Sequence, residues 1–209
     1  MSELAPPYHG SILGSGCTLY FIRHGETDWN RVKRLQGQMD IPINALGRQQ
    51  AARNGAALAE HLGRDRLAEL DFIASPLIRC VETMEIAREA AGLTRTGFAT
   101  DDRLKEIRYG AWEGASLERL KREDRAAYVE RRDNKFRWRP VDGESYADLL
   151  GRARDWAATI ERDTVVVSHG GISRVLRALV TPLEDEEIPV QIVPQDKVLV
   201  LSKDRFDWV

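Results

Sequence analysis

A chain of 209 residues, 43% hydrophobic and 31% charged, can bury one substantial core and has the make-up of an ordinary globular protein. Its formal net charge of −2 excludes the basic footprint that nucleic acid or an anionic membrane surface requires, so any anionic ligand must be met by charges gathered locally. Cys17 and Cys80, the only cysteines, are too few for a disulfide framework or a thiolate metal cluster and are expected as small core residues in a reducing cytoplasm.

Residues 1–17 carry Pro6-Pro7, Gly10, Gly14 and Gly16 but neither the cationic start nor the apolar centre of a signal peptide, and they are expected to form a flexible leader before one domain over 18–209. No apolar run approaches the roughly 20 residues that span a bilayer. Thr18 to Ile22 is β-branched, aromatic and apolar, the pattern of a central strand buried on both faces. Arg23-His24-Gly25 follows at once, and Thr27 and Asp28 are cap-type residues for a helix just beyond. Ligands of open α/β sheets sit outside the carboxyl ends of strands, near helix N-termini whose free N–H groups favour anions, which is where His24 is expected. Val32 to Asn44 lacks a sustained period and reads as a loop running back over the site. From Gly47 to Leu62, apolar residues recur at helical spacing.

Asp71 to Ser75 is a short strand stopped by Pro76, and Leu77, Val81, Met84, Ala87 and Ala91 then continue as a helix, with Ser75 and Arg79 near the mouth of this second strand-to-helix junction. Leu104 to Gly114, punctuated by glycines and aromatics, is expected as a structured loop, and Leu117 to Tyr128 as a helix. Arg131 to Pro140 is strongly basic and ends at a proline that disfavours helix before it. The plain reading of Arg131, Arg132, Lys135, Arg137 and Arg139 is a solvated face; the sharper one is that the run overhangs the site and meets a second anionic group of a substrate, with Arg137 and Arg139 as the test positions.

Ser145 to Ile160 has one continuous apolar stripe and a capping pair in Ser145 and Asp148. Thr164 to Ser168 is another buried strand, closed by His169-Gly170-Gly171 and followed by a helical stripe from Ile172 to Val180. Thr181 to Pro194 reads as a surface connection and Val198 to Leu201 as a last strand at an edge. Strands alternating with helices give an α/β fold, a three-layer sandwich with a mostly parallel central sheet flanked by helices.

Two parallel central strands that both end in His-Gly deliver two imidazoles to one sheet edge, with Arg23 beside them and Arg79 brought in by the next junction. Two guanidiniums and two imidazoles suit a phosphoryl group, whose oxygens accept paired, charge-assisted hydrogen bonds. Cationic surroundings would also keep the His24 ring neutral and nucleophilic, so no metal and no cofactor is required.

With these residues assembled, the sequence resembles the histidine phosphatase superfamily, the phosphoglycerate mutase-like family, from about Thr18 to Leu201. The motifs are Arg23-His24-Gly25-Glu26-Thr27 with Trp29-Asn30, Ser75-Pro76-Leu77 with Arg79 and Thr83, Glu106 with Tyr109-Gly110 and Trp112-Glu113-Gly114, Asp142-Gly143-Glu144-Ser145, and His169-Gly170-Gly171. The resemblance implies that His24 becomes phosphorylated, that Glu106 protonates the leaving oxygen, and that Arg23, Arg79 and His169 hold the phosphoryl oxygens. Asn30 matches a position of the same pocket and Gln36 a nearby loop position, although Asn30 equally fits a turn cap and Glu144 and Ser145 fit a helix start. The implied activity is a phosphomonoesterase acting on a small phosphorylated metabolite. Mutases resemble Glu-Arg-His-Tyr-Gly around the acid, where this chain has Glu106-Ile107-Arg108-Tyr109-Gly110, but Arg131-Arg132 matches an arginine pair of mutases, so mutase-type phosphoryl transfer is the alternative. A non-catalytic phospho-ligand-binding module is a third reading.

Overall fold

The computed structural model describes residues 16–203 and 205–209. Most of the expected leader, residues 1–15, lies outside the described residues. Cys17 is described, and it is already packed in the core.

In chain order the elements are β1 (Leu19–Arg23), α1 (Asp28–Arg31), α2 (Ala45–Leu62), α3 (Arg64–Ala68), β2 (Asp71–Ala74), α4 (Ile78–Ala90), β3 (Ala99–Thr100), α5 (Leu117–Glu123), α6 (Arg125–Asp133), α7 (Tyr146–Ala157), β4 (Thr164–Ser168), α8 (Gly170–Val180), β5 (Val198–Ser202) and β6 (Arg205–Trp208). They form a six-stranded sheet in the order β3-β2-β4-β1-β5-β6. The first four strands of that order run parallel, β5 runs antiparallel to β1, and β6 antiparallel to β5. Alternate strand residues face opposite layers. Leu19, Phe21, Val166 and Leu199 pack with the apolar stripes of α7 and α8, whereas Tyr20, Ile22, Val165 and Val167 pack with Leu58 of α2 and Cys80, Met84 and Ala87 of α4. Helices on both faces make the three-layer sandwich, and they explain why β1 and β4 had to be apolar without alternation.

Register sets up the site. Arg23 of β1 lies opposite Ser168 of β4, and Ala74 of β2 opposite Val167. The next residues, His24, His169 and Ser75, therefore leave the sheet side by side at one edge.

Four sequence expectations need correction. Strand β5 is not an edge strand, because β6 covers it; the alternation in Arg205–Trp208 is too short to signal a strand without its partner. The expected helix 117–128 is two helices, broken at Asp124, whose φ of −136° and ψ of 60° lie outside the helical region. Helix α6 continues to Asp133, into the basic run, because Pro140 is too far downstream to stop it. The connection 181–194 is not all surface: Ile188 and Val193 are buried, with a short 3-10 turn at Ile188–Val190.

Candidate active site

Residues Arg23 to Thr27 form the turn between β1 and α1. The His24 side chain is buried, and its Nδ1 lies 2.8 Å from the Gly25 carbonyl oxygen. A carbonyl only accepts, so Nδ1 carries the proton and Nε2 keeps its lone pair. Nε2 makes no hydrogen bond among the described residues. The turn is held by close backbone contact: a Cβ on Gly25 would overlap the backbone of Gly47 at the start of α2, so both positions exclude side chains. Gln195 Nε2 donates to the His24 carbonyl at 2.9 Å.

Asn30 does cap a turn. Thr27 and Asn30 form a reciprocal capping box at α1, with the Thr27 N–H donating to Asn30 Oδ1 at 3.1 Å. Its oxygen being committed, Asn30 has its amide Nδ2 to offer a ligand. Gln36 is buried and accepts from Thr27 Oγ1 at 2.9 Å, which ties the 32–44 loop to the His24 turn.

Arg79, in the first turn of α4, is fully buried without a carboxylate partner. Its Nη1 donates to Met39 O and its Nη2 to Gly37 O, each at 2.7 Å, and its Nε to His169 Nδ1 at 3.2 Å. Because His169 Nδ1 accepts, Nε2 bears the proton and donates to Ser75 Oγ at 2.8 Å. Cys80 Sγ lies against the same ring at 3.4 Å. The His24 and His169 rings meet at a centroid distance of 5.2 Å.

Arg23 is held in the same way: its Nη1 donates to Val193 O at 2.7 Å, while its buried Nε has no partner among the described residues. Neutral carbonyls orient both guanidiniums, and Glu106 acts on both without forming an ion pair with either, so they stay available to an incoming anion. A Cβ placed on Gly170 would sit 3.5 Å from Arg23 Nε and 3.5 Å from Arg174 Nη1, so these two side chains converge over the start of α8. Glu106 is there too. Its carboxylate accepts from the Gly171 N–H at 3.0 Å and from the Ile107 N–H at 3.0 Å, an anion seated on a helix N-terminus.

Burial, then Arg79 and Arg23, hold His24 well below the ordinary imidazole value of 6.5. Burial, then Arg79 and His24, do the same for His169. Arg23 is brought down to about 10 by burial and by Arg174. The site therefore combines neutral imidazoles with charged guanidiniums.

The structure thus brings His24, Arg23, Arg79, His169 and Glu106 into one cluster, with Asn30 and Gln36 supporting the turn behind it. Sequence reasoning missed Arg174, Tyr146, Gln195 and Arg152. Arg174 was legible as the one cation near the start of the apolar stripe of α8. Gln195 had no signal, since it is one polar residue in an irregular loop. Among the described residues no group of three or more His, Cys, Asp or Glu side chains is gathered as for a metal ion.

A family model described as the histidine phosphatase superfamily (branch 1) matches residues 19–208. The chain is 33% identical over 178 residues to a glucosyl-3-phosphoglycerate phosphatase of Mycobacterium tuberculosis, covering 79% of this chain and 75% of the relative. It is 36% identical over 157 residues to a probable phosphoglycerate mutase GpmB of Salmonella arizonae, covering 73% and 69%. The solved structure of a mycobacterial glucosyl-3-phosphoglycerate phosphatase with VO3 superposes with a TM-score of 0.74 at 27% identity, covering 93% of this chain and 98% of that one.

Proposed function

The chain belongs to the histidine phosphatase superfamily, branch 1, and we propose that it is a phosphomonoesterase hydrolysing a small phosphorylated metabolite through a phosphohistidine on His24. The observation that carries this reading is the His24 ring itself: buried, neutral, with Nδ1 fixed on Gly25 and Nε2 left open beside two guanidiniums that make no ion pair among the described residues.

In the first half-reaction His24 Nε2 attacks phosphorus, the bond to the leaving oxygen breaks, and Glu106, in its carboxylic acid form, gives that oxygen its proton and is left as the carboxylate. Arg23 offers its unpartnered Nε–H, and Arg79 its remaining N–H groups, to the equatorial oxygens, where charge gathers in the loose in-line transition state. His169 reaches a phosphoryl oxygen once its Nε2–H turns from Ser75. In the second half-reaction water attacks phosphorus, Glu106 takes its proton, and the N–P bond breaks to restore neutral His24.

The relatives named for glucosyl-3-phosphoglycerate and for phosphoglycerate both favour a phosphorylated glycerate derivative as the substrate class. Mutase transfer is the second reading, favoured by the GpmB relative. Against it, Ile107 is a buried apolar residue and supplies no charge next to Glu106. Among the described residues no helix is long and apolar enough to cross a membrane, and we place the reaction in the cytoplasm.

Rapid acid-free quenching during turnover, followed by mass spectrometry of the peptide holding His24, tests the intermediate. A phosphoryl adduct on His24 together with release of inorganic phosphate is the expected result. An adduct elsewhere sinks the nucleophile assignment, and interconversion of 2- and 3-phosphoglycerate with negligible phosphate release sinks the hydrolase reading.

A further inference from the structure

Arg79 and Glu106 depend on separate loops. The loop 32–44 orients Arg79 through the carbonyls of Gly37 and Met39, whereas Glu106 lies in the loop 104–114. The two backbones meet where the Gly114 N–H donates to Leu35 O at 2.8 Å and the Leu35 N–H to Ala115 O at 2.9 Å. Past Leu35, toward Arg79, the join is made by side chains.

Glu113, half-buried in the Trp112-Glu113-Gly114 motif, is central to that join. Its Oε1 accepts from the Gln38 N–H at 3.0 Å and from the Tyr109 N–H at 3.2 Å, one donor from each loop. A carboxylate oxygen has lone pairs for both, and each N–H is an obligatory donor that needs an acceptor. The seat is close-fitting: Gly37, at a φ of +52°, carries no side chain, and a Cβ there would overlap Oε1. Gly37 also gives its carbonyl to Arg79 Nη2, and the side-chain amide of Gln38 crosses to Glu106 O at 3.1 Å. Two consecutive residues therefore meet Arg79, Glu113 and the backbone of the acid.

The carboxylate is at the same time an anion near a cradle for anions. Burial lowers the Arg79 guanidinium from its ordinary value, and Cys80, Glu106, Asp40 and then Glu113 oppose that shift. A phosphoryl group held by Arg79 is repelled by the Glu113 charge, so the charge works against binding. What favours the reaction is the position of one oxygen. Glutamine offers a carbonyl oxygen at the same reach without the charge, and aspartate offers the charge without the reach.

We propose that Glu113 is a positioning residue: it fixes the loop that orients Arg79 against the loop that carries Glu106, so that the phosphoryl cradle and the proton donor keep one spacing. It acts through the geometry of its oxygen and not through its charge. This deepens the phosphatase reading and rests on it for the roles of Arg79 and Glu106.

Three variants separate geometry from charge. Glu113→Ala removes both, Glu113→Asp keeps the charge and withdraws the oxygen by one methylene, and Glu113→Gln keeps the oxygen and removes the charge. Calorimetric titration with inorganic phosphate reads the Arg79 side. The kcat/KM values for p-nitrophenyl phosphate and phenyl phosphate read the acid, because the phenyl leaving oxygen depends more on being protonated. Glu113→Ala should weaken phosphate binding at least about fivefold and lower kcat/KM at least about 10-fold, with a further loss of at least about threefold on phenyl phosphate. Glu113→Asp should show the same pattern at smaller size, and it decides the matter if the alanine variant does not fold. Glu113→Gln should bind phosphate at least as tightly as the wild type and regain most of kcat/KM on both esters. The reverse order, with Asp near the wild type and Gln as low as Ala, would overturn the proposal. Phosphate affinity untouched by Ala and Asp, or equal losses on the two esters, would overturn it as well. Failure of the wild-type protein to release phosphate from either ester would count against the phosphatase reading, while the phosphate titration still decides whether Glu113 fixes the Arg79 loop; a wild-type protein that binds no phosphate would overturn both.

Discussion

His24 and His169 leave neighbouring parallel strands at the same level and meet edge to face, their ring planes at 61°. Two imidazoles this close, both buried and both beside Arg79, are compatible only while at least one is neutral, and burial keeps both so. In the unfolded chain each takes up a proton as pH falls through about 6.5, whereas the folded protein resists it, so protons favour unfolding. The stability from keeping these rings neutral is complete above pH 6.5 and is lost as pH drops toward their folded values. Thermal melts should give a flat Tm between pH 7 and 8 and a falling Tm from pH 6.5 to 5, with a shallower fall in His24→Ala. A Tm that rises on acidification would contradict the buried neutral pair.

Replacing His24 with alanine removes the only open imidazole nitrogen of the cluster while leaving Arg23, Arg79 and the carbonyls that hold them in place. Phosphate release should fall by at least about 10³-fold, and inorganic phosphate should still bind within about threefold of the wild-type affinity. Turnover and calorimetry on the same preparation measure the two effects separately. Unchanged turnover would remove His24 from the chemistry.

Much of this site was legible because its members sit at strand ends. A continuous apolar run identifies a buried parallel strand, and the residue after it is delivered to the ligand edge whatever the rest of the chain does, which is how His24 and His169 could be paired from sequence. Arg79 was legible as the cation in the first turn of the helix at the second strand-to-helix junction. Glu106 was not, since it lies in a loop whose course depends on the contacts of Arg152 and Gly171, and only the family resemblance singled it out. The basic run was not legible for a different reason: that Arg137 meets Asp185 and Arg139 meets Asp148 depends on tertiary packing, so sequence could not tell these surface ion pairs from the half-buried Arg131 and Lys135.

Gly171 is a position where a single methyl group reaches the chemistry. A Cβ there would overlap Glu106 Oε1, and the Gly171 N–H is one of the donors that seat this carboxylate. Gly171→Ala therefore should expel Glu106 from the N-terminus of α8, lowering kcat by about 10² to 10⁴-fold, the range for loss of a positioned acid. Adding Glu106→Gln to Gly171→Ala should cost little more, because both remove the same function. Independent, multiplicative losses in the double variant would mean that Gly171 acts through something other than Glu106.

Arg152 of α7 holds the loop that carries Glu106. Its Nη1 donates to Arg103 O and Lys105 O at 2.7 Å each, its Nη2 to Glu106 O at 3.0 Å, and its guanidinium also pairs with Glu144 through contacts of 2.8 and 2.9 Å. Glu144 in turn accepts from the Arg108 N–H at 2.9 Å, so one side chain pins the loop on both sides of the acid. Both partners of the ion pair are largely shielded from solvent, at 19% and 23% side-chain exposure, so truncation strands three carbonyls and a carboxylate together. Arg152→Ala should destabilise the fold by roughly 2–4 kcal/mol in urea titration. Because the loop carries the proposed proton donor and not the proposed phosphoryl cradle, kcat should fall while the affinity for inorganic phosphate is retained below the transition. Arg152→Lys should recover part of the stability through the Glu144 pair but little of kcat, since an ammonium does not reproduce the fork that reaches three carbonyls at once. A variant that loses stability with kcat untouched would show that Glu106 keeps its seat on Gly171 without this support.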